Sequence, residues 1–178
     1  MKHCVYLIGF MGAGKSHVGR LLAKKSGLPY LDADAEIEER SGMKIAEIFS
    51  RYGEECFRDM ETELLKRLSE GSGAVVSCGG GMVLREENRR VMRESGTVVY
   101  LTAQPETIFE RVRYSSHRPL LNGRMNPEAI GALMEERRER YENAAEITIA
   151  TDARSGEEIA EELQRILFPS SQTDGVLA

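Results

Sequence analysis

Short apolar runs of strand length alternate along the chain with segments whose apolar positions recur every three or four residues. Cys4 to Ile8, Tyr30-Leu31, Ala74 to Cys78, Thr97 to Leu101 and Glu146 to Ala150 read as strands, rich in β-branched or aromatic residues. Val18, Leu21 and Leu22 form one stripe of a helix expected over 15–25, which Ser26-Gly27 ends and Pro29 follows. A helical stretch over 35–40 breaks at Ser41-Gly42, and another begins near Ile45, where Ile45, Ile48 and Phe49 repeat at helical spacing. A longer helix over 53–70 carries Phe57, Met60, Leu64, Leu65 and Leu68 on one face. Residues 86–93, 104–113, 127–143 and 156–167 supply the remaining helices; Pro105 sits early in its helix, where its missing N–H does no harm. The stretch 114–126 is polar and without period, and 169–178 is a polar tail expected to fray.

This alternation predicts an α/β fold: a three-layer sandwich with a five-stranded parallel sheet and helices on both faces, in one domain over 1–168. Ligands of such sheets sit over the carboxyl ends of the strands. That rule gathers 9–16, Asp32, Asp34 and 79–81 at one edge.

Composition narrows the classes. The 178 residues carry a net charge of -5 with both signs interspersed, so no basic stripe suggests a nucleic-acid partner. Cys4, Cys56 and Cys78 are odd in number and form no Cys-x-x-Cys pair, which predicts reduced thiols and a cytoplasmic setting. The longest apolar runs are strand length, so neither a signal peptide nor a membrane partner is expected. A monomer is the expected state.

The first strand runs directly into Gly9-Phe10-Met11-Gly12-Ala13-Gly14-Lys15-Ser16, a phosphate-binding loop. Its glycines can take angles that residues with a Cβ resist, so successive N–H groups can turn toward phosphate oxygens. The following helix adds the positive end of its dipole, Lys15 an ammonium, and Ser16 a hydroxyl able to ligate magnesium. The loop speaks for a nucleoside triphosphate and is silent on its use. No strand other than the second ends in an acid beside the loop, and the chain has no Asn-Lys-x-Asp, which argues against a motor or a nucleotide switch. A small kinase, in which a bound acceptor replaces water, remains. Of Asp32 and Asp34, one can orient the magnesium shell with Ser16 and the other can accept the proton of an attacking hydroxyl; Asp34 could equally cap the helix that follows it. Arg58 and Glu61 lie one turn apart and can pair. Gly79, Gly80 and Gly81 are expected to expose backbone N–H groups to a small anion or to hydroxyls. Arg137 could join Arg58 as a carboxylate clamp, although spacing alone does not select these two among 24 Lys and Arg. Arg118-Pro119 suggests a lid over 112–124 that brings a cation to the transferring phosphate, surface pairing of Arg118 being the alternative.

Together and in order, GFMGAGKS, LDADAEIE, IFSRYGEECFRDMETELL, CGGGMV, HRPLL and RRERY resemble the shikimate kinase family, of the P-loop, nucleoside monophosphate kinase fold, over about residues 4–167. The resemblance implies transfer of the γ-phosphoryl group of ATP to the 3-hydroxyl of shikimate in aromatic amino acid biosynthesis, with Mg2+. It implies that Asp34 binds shikimate hydroxyls and acts as base. Arg58 and Arg137 would hold the carboxylate with Gly79, Gly80 and Gly81, Phe49 and Phe57 would wall the pocket, and Glu61 would support Arg58, all within helices over 34–61 and their neighbours. Gly12, Ala13, Gly14, Lys15, Ser16 and His17 would line the ATP site, Ser16 and Asp32 would hold the metal, Arg118 would be the lid arginine, and Arg111 would lie on adenine, with Arg113 the other candidate. His17 stands where the family commonly has a small residue, and solvated helix surface is its alternative reading. Arg137 is placed by its offset from Tyr141, ahead of Arg138. A related kinase, for gluconate or a nucleoside monophosphate, and a catalytically idle ATP-binding module are the competing readings.

Overall fold

The computed structural model describes residues 4–113 and 126–169. Strand β1 (Cys4–Ile8) leads through the glycine loop into helix α1 (Lys15–Ser26), which Gly27 closes at φ 75° by donating its N–H to the Ala23 carbonyl. Strand β2 (Tyr30–Asp32) is followed by α2 (Ala33–Ser41) and α3 (Ile45–Ser69). Strand β3 (Val75–Ser77) precedes a 3-10 turn at Met82–Leu84 and helix α4 (Glu86–Ser95). Strand β4 (Gly96–Thr102), α5 (Pro105–Val112), α6 (Pro127–Ala144), β5 (Ile147–Ala150) and α7 (Gly156–Leu167) complete the order. The sheet runs β2-β3-β1-β4-β5, with every neighbouring pair parallel.

The alternation of β1 explains the three layers. Cys4, Tyr6 and Ile8 face a core shared with α2, α3 and α4, whereas Val5 and Leu7 face one shared with α1, α5 and α7. All five residues are buried, as expected of a central parallel strand covered on both faces. Because β3 and β4 flank β1, the chain reverses direction across the sheet there, and the loop after β1 opens at this switch point.

The helices read as starting near Ile45 and at residue 53 are the two parts of α3, which meet at a break at Gly53 (φ 81°, ψ 174°). Ile48 before the break and Phe57, Leu64 and Leu65 after it bury against the same core, so one apolar face holds both parts. Helix α2 begins at Ala33, and its cap is Asp32, whose side chain accepts the Ala35 N–H at 3.3 Å; Asp34, the cap suggested by the sequence, lies in the first turn. Of the segment read as a lid, Val112 is the buried last residue of α5, while residues 114–124 with Arg118 lie outside the described residues, as does the tail from 170.

Candidate active site

Gly9, Gly12 and Gly14 have φ of 144°, 80° and 97°, the region a side chain disfavours. Gly12 also lacks room, since a Cβ there would stand 2.7 Å from Val112 Cγ1. Helix α1 starts with no acidic residue in its first turn and no side-chain cap, so the positive end of its dipole faces the loop uncompensated. Lys15 Nζ donates to the carbonyls of Gly9 at 2.8 Å and Phe10 at 3.1 Å, lying along the loop. Ser16 Oγ donates to Asp32 Oδ2 at 3.1 Å and lies 3.2 Å from Ser77 Oγ, on the strand between β1 and β2. Tyr30 donates to the same Asp32 oxygen at 3.3 Å. This hydroxyl and carboxylate are hard oxygen donors of the kind magnesium accepts.

A second cluster forms beside the loop from α2, α3, the turn after β3, and α6. Asp34 Oδ1 and Glu61 Oε1 are both sealed from solvent and without a hydrogen-bond partner. They flank Gly79, whose Cβ would stand 2.7 Å from the first and 3.2 Å from the second. Burial raises the Asp34 pKa, with Asp32 adding to the effect and Lys15 opposing it. Burial likewise pushes Glu61, which is fully buried, up to about 7 against the pull of Arg58. Arg58 Nη1 donates to Glu61 Oε2 at 2.8 Å, while Nη2 and Nε donate to Glu54 Oε1 at 2.8 and 3.2 Å. The guanidinium occupies the space a Cβ on Gly81 would need. Arg137 lies beside Gly80, whose absent Cβ would be 4.0 Å from its Nη1. Tyr141, one turn further along α6, donates its hydroxyl to the Gly80 carbonyl at 2.6 Å. Arg138 points away, pairing with Glu135 at 2.8 Å. Phe49 and Phe57 meet at 5.0 Å between ring centroids, Phe57 buried and Phe49 more exposed.

The three consecutive glycines have a physical reason that the sequence did not disclose. None has positive φ. At Gly79 and Gly81 the missing side chain makes space for Asp34 and Glu61 and for Arg58, whereas a Cβ on Gly80 would lie in ordinary contact with Tyr141 and Arg137. The Gly79 and Gly81 carbonyls accept the N–H groups of Met82 and Leu84, each at 3.0 Å, which closes the turn tightly.

On the far side of the loop is a cavity of about 290 Å3 lined by Ala13, Gly14, His17, Arg111, Thr151 and Arg154 among others. Arg111 spans it, donating to the Gly12 carbonyl at 3.1 Å and to the Thr151 hydroxyl and carbonyl at 3.0 Å each. Arg113 pairs with Glu110 on the helix surface. His17 is exposed to solvent, yet its ring fills the place of a Cβ on Gly156, so it sits at this cavity's rim.

Apart from the alternatives Arg113 and Arg138, the structure thus brings the candidates within the described residues into two groups around one loop; Arg118 lies outside the described residues. Sequence reasoning missed Glu54, whose four-residue offset from Arg58 was the available signal. It also missed Ser77, Thr151 and Arg154, which carried none. Asn88 was missed as well: fully buried, it accepts from the Thr62 hydroxyl at 2.7 Å and donates to the Met82 carbonyl at 3.0 Å, tying the glycine turn to α3.

A parallel sheet in this order, with a phosphate-binding loop at its switch point and a cluster of buried carboxylates and arginines alongside, defines a small P-loop kinase of the nucleoside monophosphate kinase type. The family model for shikimate kinase matches residues 11–167. The chain belongs to the shikimate kinase family. It is 47% identical over 159 residues to the shikimate kinase of Geobacter sulfurreducens, covering 89% of this chain and 87% of that one. The structure of shikimate kinase from Acinetobacter baumannii in complex with shikimate is similar at a TM-score of 0.88 and 33% identity, covering 97% and 96% of the two chains. A gluconokinase from Sinorhizobium meliloti, at a TM-score of 0.55 and 19% identity over 90% and 88% of the chains, shares the fold alone.

Proposed function

We propose that this chain transfers the γ-phosphoryl group of ATP to the 3-hydroxyl of shikimate, giving shikimate 3-phosphate and ADP. The observation that carries this reading is the convergence of one buried carboxylate, Asp34, with Arg58, Arg137 and the glycine turn beside the phosphate-binding loop. A small polyol bearing one carboxylate suits that combination, because guanidinium forks grip the carboxylate and the acid meets a hydroxyl.

The amides of Gly12, Ala13 and Gly14 and the ammonium of Lys15 hold the outer phosphates, Lys15 exchanging the loop carbonyls of Gly9 and Phe10 for phosphate oxygens. Arg111 and His17 border the base, in the cavity beside Thr151. Ser16 and Asp32 would hold Mg2+, which when bound neutralises charge developing on the phosphate oxygens. Arg58 and Arg137 fix the acceptor by its carboxylate, Phe49 and Phe57 cover its ring, and Glu61 holds Arg58 in place. Asp34 orients the acceptor hydroxyl and takes its proton as the oxygen attacks phosphorus, a role helped by a carboxylate more basic than usual. By resemblance Arg118 meets the transferring phosphate, from a lid over 112–124. The unit is one kinase domain over 1–168 acting as a cytoplasmic monomer. Its partners are ATP and shikimate, with neither nucleic acid nor membrane among them; no helix among the described residues is long and apolar enough to cross a membrane.

The test is ADP release from Mg-ATP in a coupled assay with shikimate, gluconate, a panel of nucleoside monophosphates, or no acceptor. Release that depends on shikimate alone is expected. Release with another acceptor overturns the arginine clamp, and none with any acceptor, alongside ATP binding, returns the idle-module reading.

A further inference from the structure

Every two-point docking of a carboxylate on a guanidinium uses Nη2, either together with Nη1 at the end of the fork or with Nε along its side. In this structure all three nitrogens of Arg58 already donate to acids. Nη1 is held by Glu61 at 2.8 Å, and both Nη2 and Nε by Glu54 Oε1. The two partners differ in their freedom to leave. The Glu61 side chain is 0% exposed and the Arg58 side chain 12%, whereas that of Glu54 is 57% exposed. Arg58 is further confined by the backbone at Gly81 and by the Phe57 ring, 5.4 Å from its Cζ. Nη1 and Nη2 each carry a second N–H, but the Nε and Nη2 edge is the two-point docking edge held by a solvent-exposed acid, and an incoming carboxylate that replaces Glu54 there gains both contacts.

The backbone makes that replacement inexpensive. Glu54 directly follows the break at Gly53, so it is the first residue of the second part of α3. An acid there is favoured by the N-terminal end of the helix dipole whether or not it touches Arg58. When displaced, Glu54 swings into solvent and keeps this stabilisation.

We infer that Glu54 is an internal stand-in for the acceptor's carboxylate, seated on the Nε and Nη2 edge of Arg58 and exchanged for the substrate on binding, so that it sets acceptor affinity. Glu54 is a positioning residue that acts through Arg58. It pairs with the guanidinium and makes the acceptor compete for it. The inference rests on the shikimate reading above.

The test is Glu54→Gln, which keeps the shape and removes the charge, with shikimate varied at saturating ATP. The KM for shikimate and its Kd by calorimetry are expected to fall about two- to five-fold, with kcat changing by a smaller factor, the size expected when an exposed ion pair no longer competes. Glu47→Gln removes the same charge from the other side of Gly53, where Glu47 pairs with Arg51 at 2.8 Å, and serves as the control for general electrostatics. A purely structural Glu54 gives the opposite sign, because Arg58 released from its brace binds the acceptor less well. Unchanged or weaker shikimate binding in Glu54→Gln, or an equal gain in Glu47→Gln, overturns the inference. Either result in an enzyme whose ADP release depends on shikimate leaves the functional reading standing, whereas loss of that dependence in the unmodified protein defeats the reading itself.

Discussion

The glycine turn at 79–81 offers a graded perturbation, because each position faces a different group at a different distance. In Gly79→Ala the new methyl stands 2.7 Å from Asp34 Oδ1 and 3.2 Å from Glu61 Oε1. Ordinary carbon–oxygen contact begins near 3.4 Å, so Asp34 must retreat by about half an ångström or more. A displacement of about 1 Å can cost about 100-fold in a positioned reaction, which sets the expected loss in kcat at about 10- to 100-fold. Gly81→Ala instead drives its methyl into the Arg58 guanidinium, which Glu54 and Glu61 prevent from stepping aside. Its KM for shikimate is expected to rise about ten-fold or more, equivalent to about 1.4 kcal/mol of lost binding, with a smaller effect on kcat. At Gly80 the nearest atoms would be 3.6 to 4.0 Å away, so alanine fits there without displacing a protein group. None of the three positions has positive φ, so backbone strain contributes to none of the effects. Steady-state kinetics by coupled ADP release, with shikimate and ATP varied in turn, separates kcat from the two KM values. Thermal melting of each variant checks the fold. Wild-type kcat in Gly79→Ala, or wild-type KM for shikimate in Gly81→Ala, refutes the assignment of Asp34 and Arg58 to this turn.

Asp34→Asn keeps the side-chain shape but cannot take a proton, and is expected to lower kcat by about 100-fold or more while the Kd for ATP moves less than about three-fold; undiminished turnover removes Asp34 from the base role. Asn88→Ala leaves the buried Met82 carbonyl without its donor and is expected to cost about 1 to 3 kcal/mol in urea unfolding; a cost below about 0.5 kcal/mol contradicts a structural role for that tie. Glu61 gives a pH signature. Its pKa in the fold, about 7, lies above the ordinary 4.5, so the folded state binds the extra proton and stability falls as pH climbs from about 4.5 to about 7, then stays lower. Glu61→Gln lacks this titration, so its stability relative to the unmodified protein should improve by up to about 3 kcal/mol across that window; a gap independent of pH contradicts the burial argument.

The phosphate-binding loop was legible in the sequence because backbone geometry dictates it: three glycines with φ above 80° or at 80° and a helix start fix the residue types locally. The strands were legible for a similar reason, since burial on both sheet faces leaves continuous apolar runs. Where several elements must converge, local pattern carries little. Spacing alone does not select Arg58 and Arg137 among the arginines; only the family's offset from Tyr141 set Arg137 ahead of Arg138, which pairs outward with Glu135. Their selection rests on how α3 and α6 meet the turn after β3. His17 falls off the apolar stripe of Val18, Leu21 and Leu22 and so reads as solvated surface; its neighbour Gly156 comes from the far end of the chain. The three glycines of the turn stood out in the sequence for a backbone reason, whereas in the structure Gly79 and Gly81 leave space that Asp34, Glu61 and Arg58 fill. The break at Gly53 was legible as the start of the helix over 53–70, but that Ile48 before it and Phe57 after it bury in one core was not.

Phosphorus-31 NMR of the product formed from Mg-ATP and shikimate tests the central claim most directly. A single new phosphate-ester signal coupled to the proton on carbon 3 of shikimate, appearing in step with ADP, is the predicted result. ATP consumed to inorganic phosphate alone, or an ester coupled to a different ring proton, contradicts the account.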